Sequence, residues 1–416
     1  MNTAETNAGT ILLGTAYRTI NPTEGMWLIG YPHPEKRANT GVGLDLCVRA
    51  AVFGSPEIET PLAAIVVLDT LAVNQKVVQR IRHAAADRIQ GLKPEVIMVV
   101  ATHTHSAPAF VAMQSGPDLV TAAADYVDRV VESAVEALED AWQTRSQGSL
   151  RVGRTELRMG HNRRVLDAQG HATNEWFDVE GRHTGFFNPN ARILVFENAR
   201  TRKPQAVFSL YACHPVAHGP GNTKASADYP GYLIRAVEAA LPGCFAIHLT
   251  GAAADINPRD GLADGPEKAK LLGEALAEVV LEEIPRARPI GAIPICVHTE
   301  SVVLPLGPDA KGNYSCRAQD SLNGKTITSE IQVLRVGEVA FISAPGELFG
   351  ATGLAIENTS PFATTFVAGY ANDSLGYLVN YAVLREGGYE AQNAISKEFE
   401  PRLMAAWRTA LEKAFA

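Results

Sequence analysis

Residues 94–106 read Pro-Glu-Val-Ile-Met-Val-Val-Ala-Thr-His-Thr-His-Ser, and this stretch decides the fold class. Pro94 to Ala101 is a short apolar, β-branched run, which predicts a buried strand. At Thr102 the run gives way to a polar loop carrying His103 and His105. The same grammar recurs outward along the chain. Ala206 to Cys213 predicts a strand running into His214-Pro215, and Cys244 to Thr250 predicts one ending in the loop from Gly251 to Pro258. Ala191 to Phe196 and Thr364 to Gly369 read as further strands.

Helical patterns alternate with these strands. Asp118 is a candidate N-cap for a helix in which Val127, Val130, Val131, Ala134, Val135, Leu138 and Trp142 recur at helical spacing. Tyr229 to Leu241 predicts a second helix, and Pro266 to Ile284 a third with Pro in its first turn. Ile331 to Val336 and Val339 to Ser343 flank Gly337-Glu338, a hairpin signal, and a closing helix is expected from about Glu398 to Phe415. The expectation is an α/β fold with mixed β-sheets flanked by helices, one domain over 1–416. In such folds ligands gather beyond the carboxyl ends of strands, which directs attention to His103, His214 and Asp255 together.

Composition narrows the function. The chain has 416 residues, 46% hydrophobic and 20% charged, a globular balance. Its net charge of −8, with no basic run, argues against nucleic-acid binding, which needs clustered cations. The longest apolar runs fall well short of the ~20 residues a membrane helix requires. No basic stretch followed by an apolar one opens the chain, and Cys47, Cys213, Cys244, Cys296 and Cys316 are odd in number and widely spaced. Both features lead us to expect a cytoplasmic protein with reduced thiols.

Taken singly, the polar candidates are weak. A His at a strand end is more often structural than a ligand. Glu347, in Ser343-Ala344-Pro345-Gly346-Glu347, reads first as a Glu in the opening turn of a helix. Tyr377 reads as a packed loop aromatic, Arg163 as a surface residue beside the equally basic Arg164, and Asp255 as a turn residue. His218, Asp228 and Asp69 could support ligand histidines. Residues 160–190 are irregular for long enough to suggest a loop that covers substrate.

Taken in order, these residues resemble the N-terminal catalytic domain of the neutral/alkaline, non-lysosomal ceramidase family. The resemblance rests on Thr-His-Thr-His-Ser at 102–106, Asn162-Arg163, His214-Pro215, Pro-Gly-Glu at 345–347 and the Asn-x-x-x-x-Tyr that ends at Tyr377. Ser-Ala-Asp-Tyr-Pro-Gly at 226–231 is similar to a further family stretch. The resemblance implies a zinc ion held by His103, His214, Glu347 and Tyr377, with His105 facing substrate or supporting the ligands, and with Arg163 near the scissile group. Two neutral imidazoles and a carboxylate leave zinc electrophilic enough to acidify a bound water, although the same donors could take manganese, iron or cobalt.

The sequence departs from the family where the family carries a catalytic serine. Here the stretch is Ala254-Asp255-Ile256-Asn257-Pro258-Arg259, with Asn257 in the serine position. We also expect no counterpart here of the family's C-terminal immunoglobulin-like domain. We therefore expect a zinc-dependent hydrolase that cleaves the carboxamide of a small soluble N-acyl compound through attack by a metal-bound water. His105 or Asp255 would be the general base, with Arg163 or Asn257 stabilising the oxyanion. Ester or lactone hydrolysis is the first alternative, and a non-catalytic metal-containing binding protein the second.

Overall fold

The computed structural model describes residues 9–108, 110, 113–115, 118–120, 124–261, 265–291, 294–307 and 326–416. Strands β1 (Ile11–Thr19), β2 (Cys47–Gly54), β3 (Ala63–Leu68), β4 (Ile97–Ala101), β5 (Ser146–Glu156), β6 (Asn190–Asn198), β7 (Pro204–Tyr211) and β8 (Phe245–Thr250) form one large mixed sheet. Its order is β8-β7-β6-β5-β1-β2-β3-β4, and Arg288–Pro289 also pairs with β5. Every neighbouring pair on this path is antiparallel except β3/β4 and β7/β8, which are parallel. A parallel pair needs a crossover, and helices α1 (Gln75–Arg88) and α3 (Asp228–Ala240) supply it, while α2 (Ala124–Gln143) packs on β1 and β2.

Strands β9 (Ile295–Pro305), β10 (Thr326–Val336), β11 (Val339–Ser343) and β12 (Thr364–Ala368) form a second sheet in that order. Gly337, at φ 62, turns β10 into β11 where the hairpin was expected, and helix α5 (Gly350–Thr359) crosses from β11 to the parallel β12. Helix α4 (Pro266–Glu283) packs beside α3, and the closing helix α6 (Phe399–Phe415) covers β9 and β10. The two sheets share one apolar core, in which Phe208 lies 5.7 Å from Phe53 and 5.9 Å from Phe341 between ring centroids. Burying three such rings against one another ties the sheets together, and truncating Phe208 to Ala would cost about 3–5 kcal/mol.

Each sheet periodicity has a physical reason. β3 and β4 are buried along their whole length, as expected of parallel strands covered on both faces. β5 alternates buried and more exposed residues, the pattern of a strand with one covered face. α1 starts at Asn74, whose side chain accepts from Val77 N at 3.0 Å.

Several boundaries differ from the sequence reading. Pro94–Val96 form a 3₁₀ turn, because proline has no N–H for the ladder, and β4 begins at Ile97. Asp118 is not the cap of α2; Asp118–Val120 pairs with Met113–Ser115, and the helix begins at Ala124. Glu347 is not in a helical first turn either: Glu347–Leu348 pairs with Tyr377–Leu378, and α5 begins three residues later at Gly350. Cys47, Cys213, Cys244 and Cys296 are free thiols, and Cys316 lies outside the described residues.

The parallel pairs β3/β4, β7/β8 and β11/β12 deliver their carboxyl ends to one place. Thr250 Oγ1, at the end of β8, donates to the Thr102 carbonyl just past β4 at 2.7 Å. Ala101 N donates to Tyr370 O at 3.0 Å and Gly369 N to Thr250 O at 3.0 Å, so the loop after β12 joins the other two. Asn372 clamps Val99 from the same loop, its side chain accepting from Val99 N at 2.8 Å.

Candidate metal centre

His103 follows β4, His214 follows β7, and Glu347 follows β11. His103 sits at φ 67, a left-handed conformation that costs a non-glycine residue about 1–2 kcal/mol. Its N–H is held by Thr70 O at 2.9 Å, which fixes the unusual turn. His103 Nδ1 lies 2.6 Å from Leu71 O, and His214 Nδ1 lies 2.5 Å from Ala253 O. A carbonyl only accepts, so both rings carry their proton on Nδ1 and leave Nε2 with a bare lone pair.

Those lone pairs converge. The two Nε2 atoms are 3.1 Å apart, and Glu347 Oε2 is 3.6 Å from His103 Nε2 and 3.3 Å from His214 Nε2. Glu347 Oε2 is buried with no hydrogen-bond partner. Donors around a four-coordinate ion at ~2.0–2.1 Å stand about 3.3 Å from one another, so the spacing fits a metal. Burial pushes the imidazoles of His103 and His214 down to about 3, with Arg163 adding to the shift at His214, so neither ring supplies a proton at neutral pH. Burial raises the Glu347 carboxyl while His103 and Arg163 pull it back, and the three facing acceptors form a group that could hold a cation.

His105 adds a third imidazole. Its Nε2 is 3.3 Å from His103 Nε2, and the ligand atoms of His103, His105 and His214 all lie within 4.8 Å of one another. No carbonyl fixes its tautomer; Nδ1 is buried without a partner. Burial again lowers its basicity, helped by the neighbouring His103 and His214. Tyr377, paired in register with Glu347, hydrogen-bonds to that carboxylate and accepts from Arg163 Nη2 at 3.2 Å.

Arg163 is no surface residue. It is 3% exposed, in a loop whose flank Gly160–Asn162 pairs with Ile256–Pro258. Its Nε donates to Glu390 Oε1 at 3.0 Å and its Nη1 to Asn257 Oδ1 at 3.3 Å, while Trp176 covers the guanidinium at 5.1 Å. Arg164 Nη1 donates to Glu390 Oε2 at 2.5 Å, and Asn174 Nδ2 to Oε1 at 2.6 Å. Glu390 is fully buried; burial alone would raise its pKa, but Arg163 and Arg164 outweigh it and hold the carboxyl below its ordinary value.

The remaining candidates take supporting places. The carboxylate of Asp255 is committed to Asn162 Nδ2 at 2.7 Å and to Gly350 N at 2.9 Å, the start of α5, which leaves little of it for proton transfer. Asp228 accepts from the backbone N–H groups of Ala217, His218 and Tyr229, and Asp69 from Cys47 N and Thr102 Oγ1. Neither orients the ring of His103 or His214; the Leu71 and Ala253 carbonyls do. His218 Nε2 lies 2.9 Å from Ser226 Oγ. Sequence reasoning missed Glu390 and Tyr370, whose ring stacks on His103 at 3.8 Å. The consecutive Arg163-Arg164 was a signal for a buried acid, and a tyrosine at φ 58 carries none.

The stretch 13–248 matches the family described as neutral/alkaline non-lysosomal ceramidase, N-terminal. The chain belongs to this family. The match contains His103, His105, Arg163 and His214, and stops before Asn257, Glu347 and Tyr377, which the fold brings to the same centre. The fold is similar to that of a neutral ceramidase from Pseudomonas aeruginosa (TM-score 0.81, 18% identity, covering 98% of this chain and 75% of that one). It is also similar to a ceramidase complexed with C2 (TM-score 0.77, 16% identity, covering 97% and 75%). No curated protein matches the chain. The ceramidase family implies a hydrolase acting on amide bonds, and this member carries a buried histidine group able to hold a metal. Among the described residues no helix is long and apolar enough to cross a membrane.

Proposed function

We propose that this ceramidase-family chain is a zinc-dependent amidohydrolase acting on a small soluble N-acyl compound. The observation that carries the reading is the convergence of Glu347 Oε2 with the bare Nε2 lone pairs of His103 and His214. These three, with Tyr377 beside Glu347, would hold the ion. A zinc ion bound there would polarise an acyl carbonyl and acidify a water.

The chain's own groups do the rest. His105 is the imidazole of the three without a carbonyl on Nδ1, so, although burial weakens it as a base, its ring is the one left to take a proton from the attacking water and return it to the leaving nitrogen. Arg163 is held by Glu390, Asn257 and Tyr377 with its charge facing the ligand cluster, placed to balance negative charge that develops on the carbonyl oxygen. Because these donors are already ordered, they need no rearrangement when charge appears. Asn257 stands where the family has serine, which supports water rather than a side-chain hydroxyl as the nucleophile.

The test is hydrolysis of short N-acyl amines by zinc-loaded protein, measured beside matched esters and an N-acyl sphingoid lipid. We expect turnover of the soluble amides, reduced about 10²–10⁴-fold in His105→Ala with zinc content unchanged. Turnover of the lipid alone would overturn the substrate class, and turnover of none would overturn the reaction.

A further inference from the structure

Asn257 carries a detail that its place in the serine position does not by itself explain. The side chain is fully buried, and its Nδ2 has no hydrogen-bond partner. A buried amide N–H₂ left unpaired costs about 1–3 kcal/mol, so an orphan of this kind marks a place where something else completes the bond.

Which end of the amide is orphaned follows from chemistry. Arg163 Nη1 lies 3.3 Å from the amide, and a guanidinium can only donate. The atom facing it must be the carbonyl oxygen, and the N–H₂ must face the other way. Arg163 cannot rotate to release it, because its Nε is on Glu390, its Nη2 is on Tyr377 and Trp176 covers its face. Glu390 is in turn fixed by Arg164 and Asn174. A chain of charge-assisted bonds therefore sets the orientation of one neutral amide.

The backbone puts Asn257 beside the candidate centre. His214 N donates to Ile256 O at 2.9 Å, which lays the Ile256–Asn257 peptide against the ligand histidine. Asn257 is also in register with His161 across the short strand pair that leads into Arg163.

The structure assigns Asn257 Nδ2 as a preset hydrogen-bond donor to the substrate's acyl oxygen, so that this site selects ligands with an acceptor there. The inference rests on the metal-centre reading. It goes further in stating that asparagine is a specific replacement: a serine hydroxyl can donate or accept, whereas this amide, locked by Arg163, can only donate. Recognition extends to any acyl compound that presents an oxygen acceptor beside the metal, amide or ester.

The test is binding of acetohydroxamate, an acyl-oxygen ligand for metal hydrolases, to zinc-loaded protein by titration calorimetry, with zinc content measured for every variant. Asn257→Ala removes the donor. Asn257→Asp keeps the shape and strengthens the contact to Arg163, but turns an oxygen acceptor toward the ligand. The expected order of affinity is native, then Ala at about tenfold weaker, then Asp weaker still by about tenfold or more. A purely structural Asn257 predicts the opposite order for the variants, with Asp near native and Ala worse. That order, or equal affinities in all three, would overturn the assignment while leaving the metal centre standing. No binding to native zinc-loaded protein would overturn both.

Discussion

The His103–His214–Glu347 cluster and the Arg163–Arg164–Glu390 cluster are buried side by side and are balanced in opposite ways. In the second, each polar group faces its complement: the guanidinium nitrogens donate and the Glu390 oxygens accept. In the first, acceptor faces acceptor, and Glu347 Oε2 has no partner. Burial does not separate them: His103, His214, Arg163, Arg164 and Glu390 are buried, and the Glu347 side chain is only 12% exposed. What separates them is whether the protein satisfies its own atoms. A closed cluster holds a shape; an open one of this composition could hold a cation.

The comparison can be broken most easily at the open cluster. His214→Ala should weaken metal binding by well over a hundredfold, since even partners behind a ligand are worth about 10–100-fold. Dialysis against zinc buffers reads this directly, and full occupancy in the variant would remove His214 from the ligand set. At the closed cluster the effect should fall on stability. Glu390→Ala strands two buried guanidinium groups and should cost about 3–5 kcal/mol in urea unfolding. A cost under about 1 kcal/mol would mean that the arginines find water and that the cluster is not closed.

His248 sharpens the contrast, because it is a buried imidazole with hydroxyl neighbours rather than facing acceptors. Its Nδ1 is 3.0 Å from Ser209 Oγ and its Nε2 3.5 Å from Tyr229 Oη. Burial pushes it from 6.5 down to about 3. With the folded value depressed, the unfolded chain binds the extra proton first. The neutral ring therefore supports the fold fully above pH 6.5, and that support drains away as pH falls toward 3. His248→Gln should remove about 1.4 kcal/mol per pH unit of acid sensitivity between pH 6 and 4, read as the difference in urea stability between variant and native protein. An unchanged slope would show that the ring titrates normally. The smallest effect belongs to Asp255→Asn, which keeps the shape but weakens the contact to the first turn of α5. It should cost about 1 kcal/mol with metal content unchanged; loss of the metal would place Asp255 in the centre.

Much of this was legible in the sequence, for identifiable reasons. The strand ending at Ala101 and the loop from Thr102 to Ser106 were readable because a buried strand is a continuous apolar run that stops where polar work starts. The hairpin at Gly337 was readable because only that turn chemistry fits between two apolar runs. The supporting contacts were not. His103 and His214 are oriented by the carbonyls of Leu71 and Ala253, and a carbonyl has no residue identity to read. Glu390 lies more than two hundred residues from Arg163, on a four-residue helix with no periodicity of its own. Asp228 and Asp69 invited the reading of carboxylates behind ligand histidines, but the fold spends them on backbone N–H groups and a threonine hydroxyl.

The most direct measurement is the metal content of purified, untagged protein by inductively coupled plasma mass spectrometry, with His103→Ala alongside. The open-cluster account predicts about one zinc per chain in the native protein and almost none in the variant. No metal in either protein, even after incubation with zinc, would contradict it, and the facing acceptors would then need another explanation than a cation.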